Sequence, residues 1–102
     1  MKLGEKQKLF AKLVPLLLGY IHALGHEVTL GNTTAATGFK NSVHPKKIAI
    51  DLNLFIDGKY QRSTKAFEPI GQFWKGLHPL CRWGGDFPGD GNHFSLEHGG
   101  YK

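Results

Sequence analysis

Cysteine is all but absent. Cys81 stands alone in 102 residues, which excludes an internal disulfide and leaves stability to a packed core, with or without help from a metal. Nor is there an apolar run of the ~20 residues that a membrane span needs. The apolar stretch 13–18 contains Pro15, follows Glu5, Lys8 and Lys12, and has no small-residue cleavage site behind it, so it is not a signal peptide. The chain is therefore expected to be made in the cytoplasm, and not to insert into a membrane. Internal repeats and low-complexity linkers are missing too. So short a chain can bury one core, and residues 1–102 are expected to form one domain.

Negative charge is also in short supply: 13 Lys and Arg face 8 Asp and Glu, a net charge of +5 that favours anionic surroundings. The lysines are scattered, from Lys2, Lys6, Lys8 and Lys12 through Lys40, Lys46, Lys47, Lys59, Lys65 and Lys75 to Lys102. Such dispersion describes a solvated surface better than a phosphate-binding stripe, and no nucleic-acid partner is expected. What is plentiful is glycine. Fourteen glycines in a chain of 40% apolar content point to a globular fold with several constrained loops.

In chain order, Phe10, Leu13, Val14, Leu17, Ile21 and Leu24 fall at helical spacing and predict an amphipathic helix over residues 6–24. Pro15 lies on its solvent side, where a bend is expected, and Gly25 is placed to end it. Glu27–Leu30 alternates as a short strand ending at Gly31; residues 32–41 are small and polar and predict a loop. The strongest strand is 48–56, where Ile48, Ile50, Leu52, Leu54 and Ile56 alternate with Ala49, Asp51, Asn53 and Phe55. One of its faces is branched aliphatic, and the other sets Asp51 and Asn53 beside small Ala49. Asp57-Gly58 predicts a type I′ turn, with residues 59–61 returning as the partner strand. Pro69 suits the first turn of a second helix whose buried stripe is Ile70, Phe73, Trp74 and Leu77, with Pro79 past its end. The glycine-rich run 84–91 predicts a shaped, irregular loop leading to a last strand, 93–97, in which His93, Ser95 and Glu97 share a face. This order predicts an α+β fold: a small, mostly antiparallel sheet with helices packed on it.

Two stretches carry side chains suited to a metal. A zinc enzyme typically uses three nitrogen or carboxylate ligands and leaves one position to water. His44, just before the central strand, Asp51, on its polar face, and His93, on a neighbouring strand, supply that set. Asp90, at the end of the glycine-rich loop, could hold the attacking water and take its proton. By spacing alone a second reading stands beside this one, in which His44 is a surface residue, Asp51 is hydrogen-bonded and His93 is an ordinary strand residue. Six histidines and eight acidic residues offer many accidental pairs.

Four spaced motifs separate the two readings. Ser42-Val43-His44, Ala49-Ile50-Asp51, Trp83-Gly84-Gly85-Asp86-Phe87 and Asp90-Gly91-Asn92-His93-Phe94 resemble, in order, the S-x-H, A-x-D, W-G-G-D-W/F and D-x-x-H-F signatures of one family. That family is the zinc D-alanyl-D-alanine carboxypeptidases and L-alanyl-D-glutamate endopeptidases, particularly its short phage endolysin-like members. The resemblance runs from the first helix to near the C-terminus. It implies the fold shared with Hedgehog signalling domains, with His44, Asp51 and His93 as ligands of Zn2+, Asp90 as catalytic base and Ser42 as a substrate-side hydrogen-bonding residue. Trp83 and Asp86 would shape the loop beside the metal, or serve the structure alone. Two positions depart from the family pattern. Lys47 stands where glycine is common between the His and the Asp, and the stretch Asn32-Thr33-Thr34-Ala35 lacks a substrate-binding arginine that many members carry after the preceding strand. Lys40, Lys46 or a threonine is available for that role.

The resemblance implies a single catalytic domain over residues 1–102, acting as a monomer on a peptide bond of the peptidoglycan stem, in the wall or periplasm after release from the host cytoplasm. A non-catalytic, zinc-stabilised binding domain on the same scaffold is the alternative.

Overall fold

A computed structural model describes residues 1–31, 47–86 and 89–99. The first helix, α1 (Leu3–Ala23), begins one turn earlier than the apolar spacing predicts, because Glu5 accepts a hydrogen bond from the Lys2 backbone N–H at 2.9 Å and sets a negative charge at the positive end of the helix. The helix continues through Pro15. It ends as expected at Gly25, whose φ of 83° lets its N–H reach the His22 carbonyl at 2.9 Å while the His26 N–H reaches that of Ile21 at 3.2 Å. Leu24 falls outside the helix and is exposed.

The strands β1 (Glu27–Leu30), β2 (Ala49–Ile56), β3 (Lys59–Gln61), β4 (Cys81–Trp83) and β5 (His93–Leu96) form one five-stranded sheet, every pairing antiparallel. Its order is β1-β2-β5-β4, with β3 also on β2. Residues 49–51 of β2 pair with β5, and residues 54–56 pair with β3. The β2–β3 turn is the one its sequence predicts: Asp57 and Gly58 have φ of 51° and 75°, the two left-handed residues of a type I′ turn.

The aliphatic face of β2 makes the core. Ile48, Ile50, Leu52 and Leu54 are all buried, and the register extends this layer sideways through Phe94 of β5 to Trp83 of β4. Phe10, Leu13, Leu17 and Ile21 of α1 close over it with Ile70 and Trp74 of the second helix, α2 (Glu68–Leu77). Each such aliphatic side chain removed from water contributes about 1.5–3 kcal/mol. Trp74 stands edge-on to both Phe10 and Phe94, with ring centroids 5.8 and 6.2 Å away. Its indole N–H is shared by the carbonyls of Arg82 and Ser95, each at 3.1 Å, so a core side chain also ties β4 to β5.

Four features differ from the sequence expectation. Phe73 and Leu77 are only partly buried, because Gly71 takes the inward position beside Trp74 and lies against the Trp83 ring. A 3-10 turn, Thr64–Phe67, precedes α2 and buries Phe67. Cys81–Trp83 is a strand, short enough to carry no alternation signal of its own. Gly84–Asp86, within the run expected to be irregular, forms a 3-10 turn. Lys6 is buried as well: its Nζ donates to the Glu97 carbonyl at 2.8 Å and lies 3.0 Å from Nδ1 of His98, fastening the start of α1 to the chain beyond β5. Among the described residues no helix is long and apolar enough to cross a membrane.

Candidate metal and catalytic site

The face of the sheet opposite the helices carries the polar residues of β2 and β5. Antiparallel register sets Asp51 directly across from His93, and Nδ1 of His93 lies 3.3 Å from Oδ1 of Asp51. His93 is buried and Asp51 half-buried, so both donors are oriented by ladder pairing and partly shielded from water. Two backbone contacts brace the Asp51 end: the Gly31 N–H donates to its carbonyl at 2.7 Å, and the N–H of Leu52 donates to the Asn92 carbonyl at 2.9 Å. Glycine at 31 is required by this approach, since a Cβ there would sit 2.9 Å from the Asp51 carbonyl oxygen.

Asp90 enters from the loop before β5. Its N–H donates to the Gly84 carbonyl at 2.9 Å, and its own carbonyl accepts from the His93 N–H at 3.1 Å, so one tight turn links Asp90 to His93 while its side chain stays exposed. The Trp-Gly-Gly sequence builds this arrangement. Trp83 donates its indole N–H to the Gly91 carbonyl at 2.7 Å; a Cβ on Gly84 would overlap the Asp90 carbonyl and come within 2.8 Å of the His93 Cβ. Thr64 holds the loop from the other side, its hydroxyl donating to the Gly89 carbonyl at 2.7 Å. Trp83 thus ties this loop to β4. Asp86 faces elsewhere and pairs with Lys75 of α2 at 2.8 Å, where the same ammonium lies 5.7 Å from the Trp83 ring centre.

His44 and Ser42 lie outside the described residues, as do Lys40, Lys46 and the threonines at 33, 34 and 37. Among the described residues no three His, Cys, Asp or Glu side chains cluster closely enough to hold a metal. The pair that is described fits two corners of such a site. Donors on a tetrahedral zinc with bonds of about 2.0–2.2 Å stand roughly 3.3–3.5 Å apart, and the imidazole and carboxylate of His93 and Asp51 are already 3.3 Å apart.

The other histidines have different work or lie elsewhere. Nδ1 of His78 accepts from the Leu80 N–H at 3.1 Å in the turn before β4, and His98 meets Lys6. Cys81 is buried, and that burial pushes its thiol up to about 12 from 9.0, which makes it a poor thiolate ligand. A cleft of about 320 Å³ opens beside Asp90, lined by Tyr60, Gln61, Arg62, Phe67 and Asn92 among others. The sequence offered a signal for its far wall only in retrospect: β3 register places Tyr60 opposite Phe55, on the same face as Asp51.

Residues 35–96 match a family model described as D-alanyl-D-alanine carboxypeptidase. No curated protein and no solved structure matches the chain. The matched span contains both halves of the site: the segment running into β2 with Asp51, and the loop and strand that carry Asp90 and His93.

Proposed function

The chain belongs to the D-alanyl-D-alanine carboxypeptidase family, and from that footing we propose that it is a zinc peptidase cutting a peptide bond in the peptidoglycan stem, with the form of a phage endolysin's catalytic domain. The observation that carries this reading is the Asp51–His93 pair, set face to face at 3.3 Å with Asp90 one tight turn away. Asp51 and His93 would hold the zinc together with His44. Bound there, the metal supplies a lowered pKa for the attacking water and polarisation of the scissile carbonyl.

The chain's own residues do the rest. The exposed carboxylate of Asp90 takes the proton of the attacking water and returns it to the departing amine, a cycle that leaves the enzyme unchanged. The ladder and the Trp83–Gly91 hydrogen bond keep that carboxylate in register with His93. Ser42, through its motif, would be a hydrogen-bonding residue on the substrate side. The net charge of +5 favours approach to an anionic envelope, and the cell wall, reached after release from the cytoplasm, is the proposed place of action.

Digestion of purified peptidoglycan with zinc, with and without chelator, followed by mass measurement of the fragments, tests this. Release of stem-peptide fragments only when zinc is present supports the proposal and identifies the bond. Stoichiometric zinc with intact peptidoglycan would overturn it in favour of a zinc-stabilised binding domain.

A further inference from the structure

The cleft beside Asp90 has walls of opposite charge. Asp90 and Asn92 form one, from the loop before β5; Tyr60, Gln61 and Arg62 form the other, from the end of β3. It lies where β3 stops and β5 begins along β2, between the residues that each of them pairs. The register fixes which way this second wall faces. Phe55 pairs Tyr60 and Leu54 pairs Gln61, where the ladder ends, and Arg62 is the next residue. Asn53 and Asp51 alternate onto one face of β2, and Tyr60 shares it, with its hydroxyl 3.5 Å from Oδ1 of Asn53. Tyr60, Asn53, Asp51 and His93 therefore share one face of the sheet, and Tyr60 also lines the cleft, together with Asp90.

Arg62 is exposed, and among the described residues the ion pairs are Lys75 with Asp86 and His93 with Asp51, so no carboxylate neutralises it there. Its guanidinium carbon sits 5.8 Å from the centre of the Tyr60 ring, and that ring leans on Phe55 with centroids 5.6 Å apart. Stacking of this kind limits the arginine's freedom without using its N–H donors. A guanidinium with its donors open to a cleft is suited to a carboxylate, which it grips through two parallel hydrogen bonds. Asp90 on the facing wall repels the same group, so a ligand carboxylate is directed to the Arg62 end.

We infer that Arg62, held over Tyr60, binds the carboxylate of the stem-peptide substrate in this cleft. The inference rests on the function proposed above and adds the group that selects the substrate. Both bonds considered for this chain join to a D-residue whose α-carboxylate is free: the terminal D-alanine in one case, and D-glutamate linked through its side chain in the other. A carboxylate anchored at Arg62 orients the departing amine toward Asp90, and an amidated stem is discriminated against.

The test is titration calorimetry on zinc-loaded Asp90→Asn protein, in which cleavage is slowed, using N-acetyl-lysyl-D-alanyl-D-alanine and an alanyl-D-glutamate whose side-chain carboxyl is capped as an amide, each as the free α-carboxylate and as the α-amide. The free acid of at least one peptide should bind roughly ten- to a hundredfold more tightly than its amide, as expected for a charge-assisted pair. Adding Arg62→Gln should erase that preference, and Arg62→Lys should restore part of it. Melting temperatures should stay equal, because the side chain is exposed. A preference that survives Arg62→Gln overturns the inference, as does a failure of every peptide to bind. Cleavage by the native sequence is scored separately. Cutting without dependence on Arg62 leaves the peptidase standing and removes this subsite; Arg62-dependent binding without cutting does the reverse.

Discussion

Asp51 and His93 are directly opposed on adjacent antiparallel strands, so the backbone ladder sets the distance between carboxylate and imidazole. Under the proposed function, a pair built this way would lower the ordering cost of binding a metal. Asp51→Ala and His93→Ala should each weaken zinc binding by more than the 10–100-fold typical of losing a supporting partner, read by competition with a chromogenic chelator. Zinc at about 100 times its Kd should stabilise the native protein by about 2.7 kcal/mol. A melting temperature indifferent to zinc would count against the pair as ligands.

Asp90 belongs to the chemistry and not to the metal in this scheme, so the two properties should separate. Asp90→Ala should keep zinc and the native melting temperature, since the side chain is exposed and only its backbone is tied to Gly84 and His93. Muropeptide cleavage should fall about 10²–10⁴-fold, the usual worth of a general base. Full hydrolysis by this variant would sink the assigned mechanism.

Gly84→Ala tests the support beneath the site. The new methyl would overlap the Asp90 carbonyl and come within 2.8 Å of the His93 Cβ, and neither atom is the free end of a flexible side chain. The expected cost is about 1–3 kcal/mol, measured by urea denaturation, together with weakened zinc binding because His93 must move. Gly76→Ala is the control: a Cβ there meets nothing within 4 Å, and it should be neutral or slightly stabilising.

Cys81 gives a pH prediction. Burial raises its thiol from 9.0 to about 12 in the folded protein. Between those values the unfolded chain loses a proton that the folded chain keeps, so the stability this group contributes is intact below about pH 9 and is lost as pH rises toward about 12. Cys81→Ala should flatten that part of the stability profile. In the native protein at pH 7.5 the thiol should resist iodoacetamide until the chain is unfolded.

Much of the fold was legible because its signals are local. The alternation in β2, the Asp57-Gly58 turn and the Gly25 stop each depend on a few consecutive residues, and each stands where expected. β4 was not legible, since three residues are too few to alternate; it is a strand because β5 offers it a ladder and Trp74 ties the two together. The partial burial of Phe73 follows from packing as well: its ring stacks on Tyr20 of α1, with centroids 4.1 Å apart, at the edge of the core.

For the site, the sequence by itself determined the chemistry available: a carboxylate on the polar face of the central strand, a histidine on the last strand, and an aspartate three residues before it. It also determined which face of β2 would be core, because period-two alternation is a property of the chain alone. Only the tertiary structure decided that Asp51 and His93 are partners, since residues 42 positions apart are brought together by register, and a one-residue slip would put them on opposite faces. The structure likewise decided that Arg62, the residue after a short strand, lines one cleft together with Asp90. That relation depends on how two separate strands share the edge of a third, and no short stretch of sequence records it.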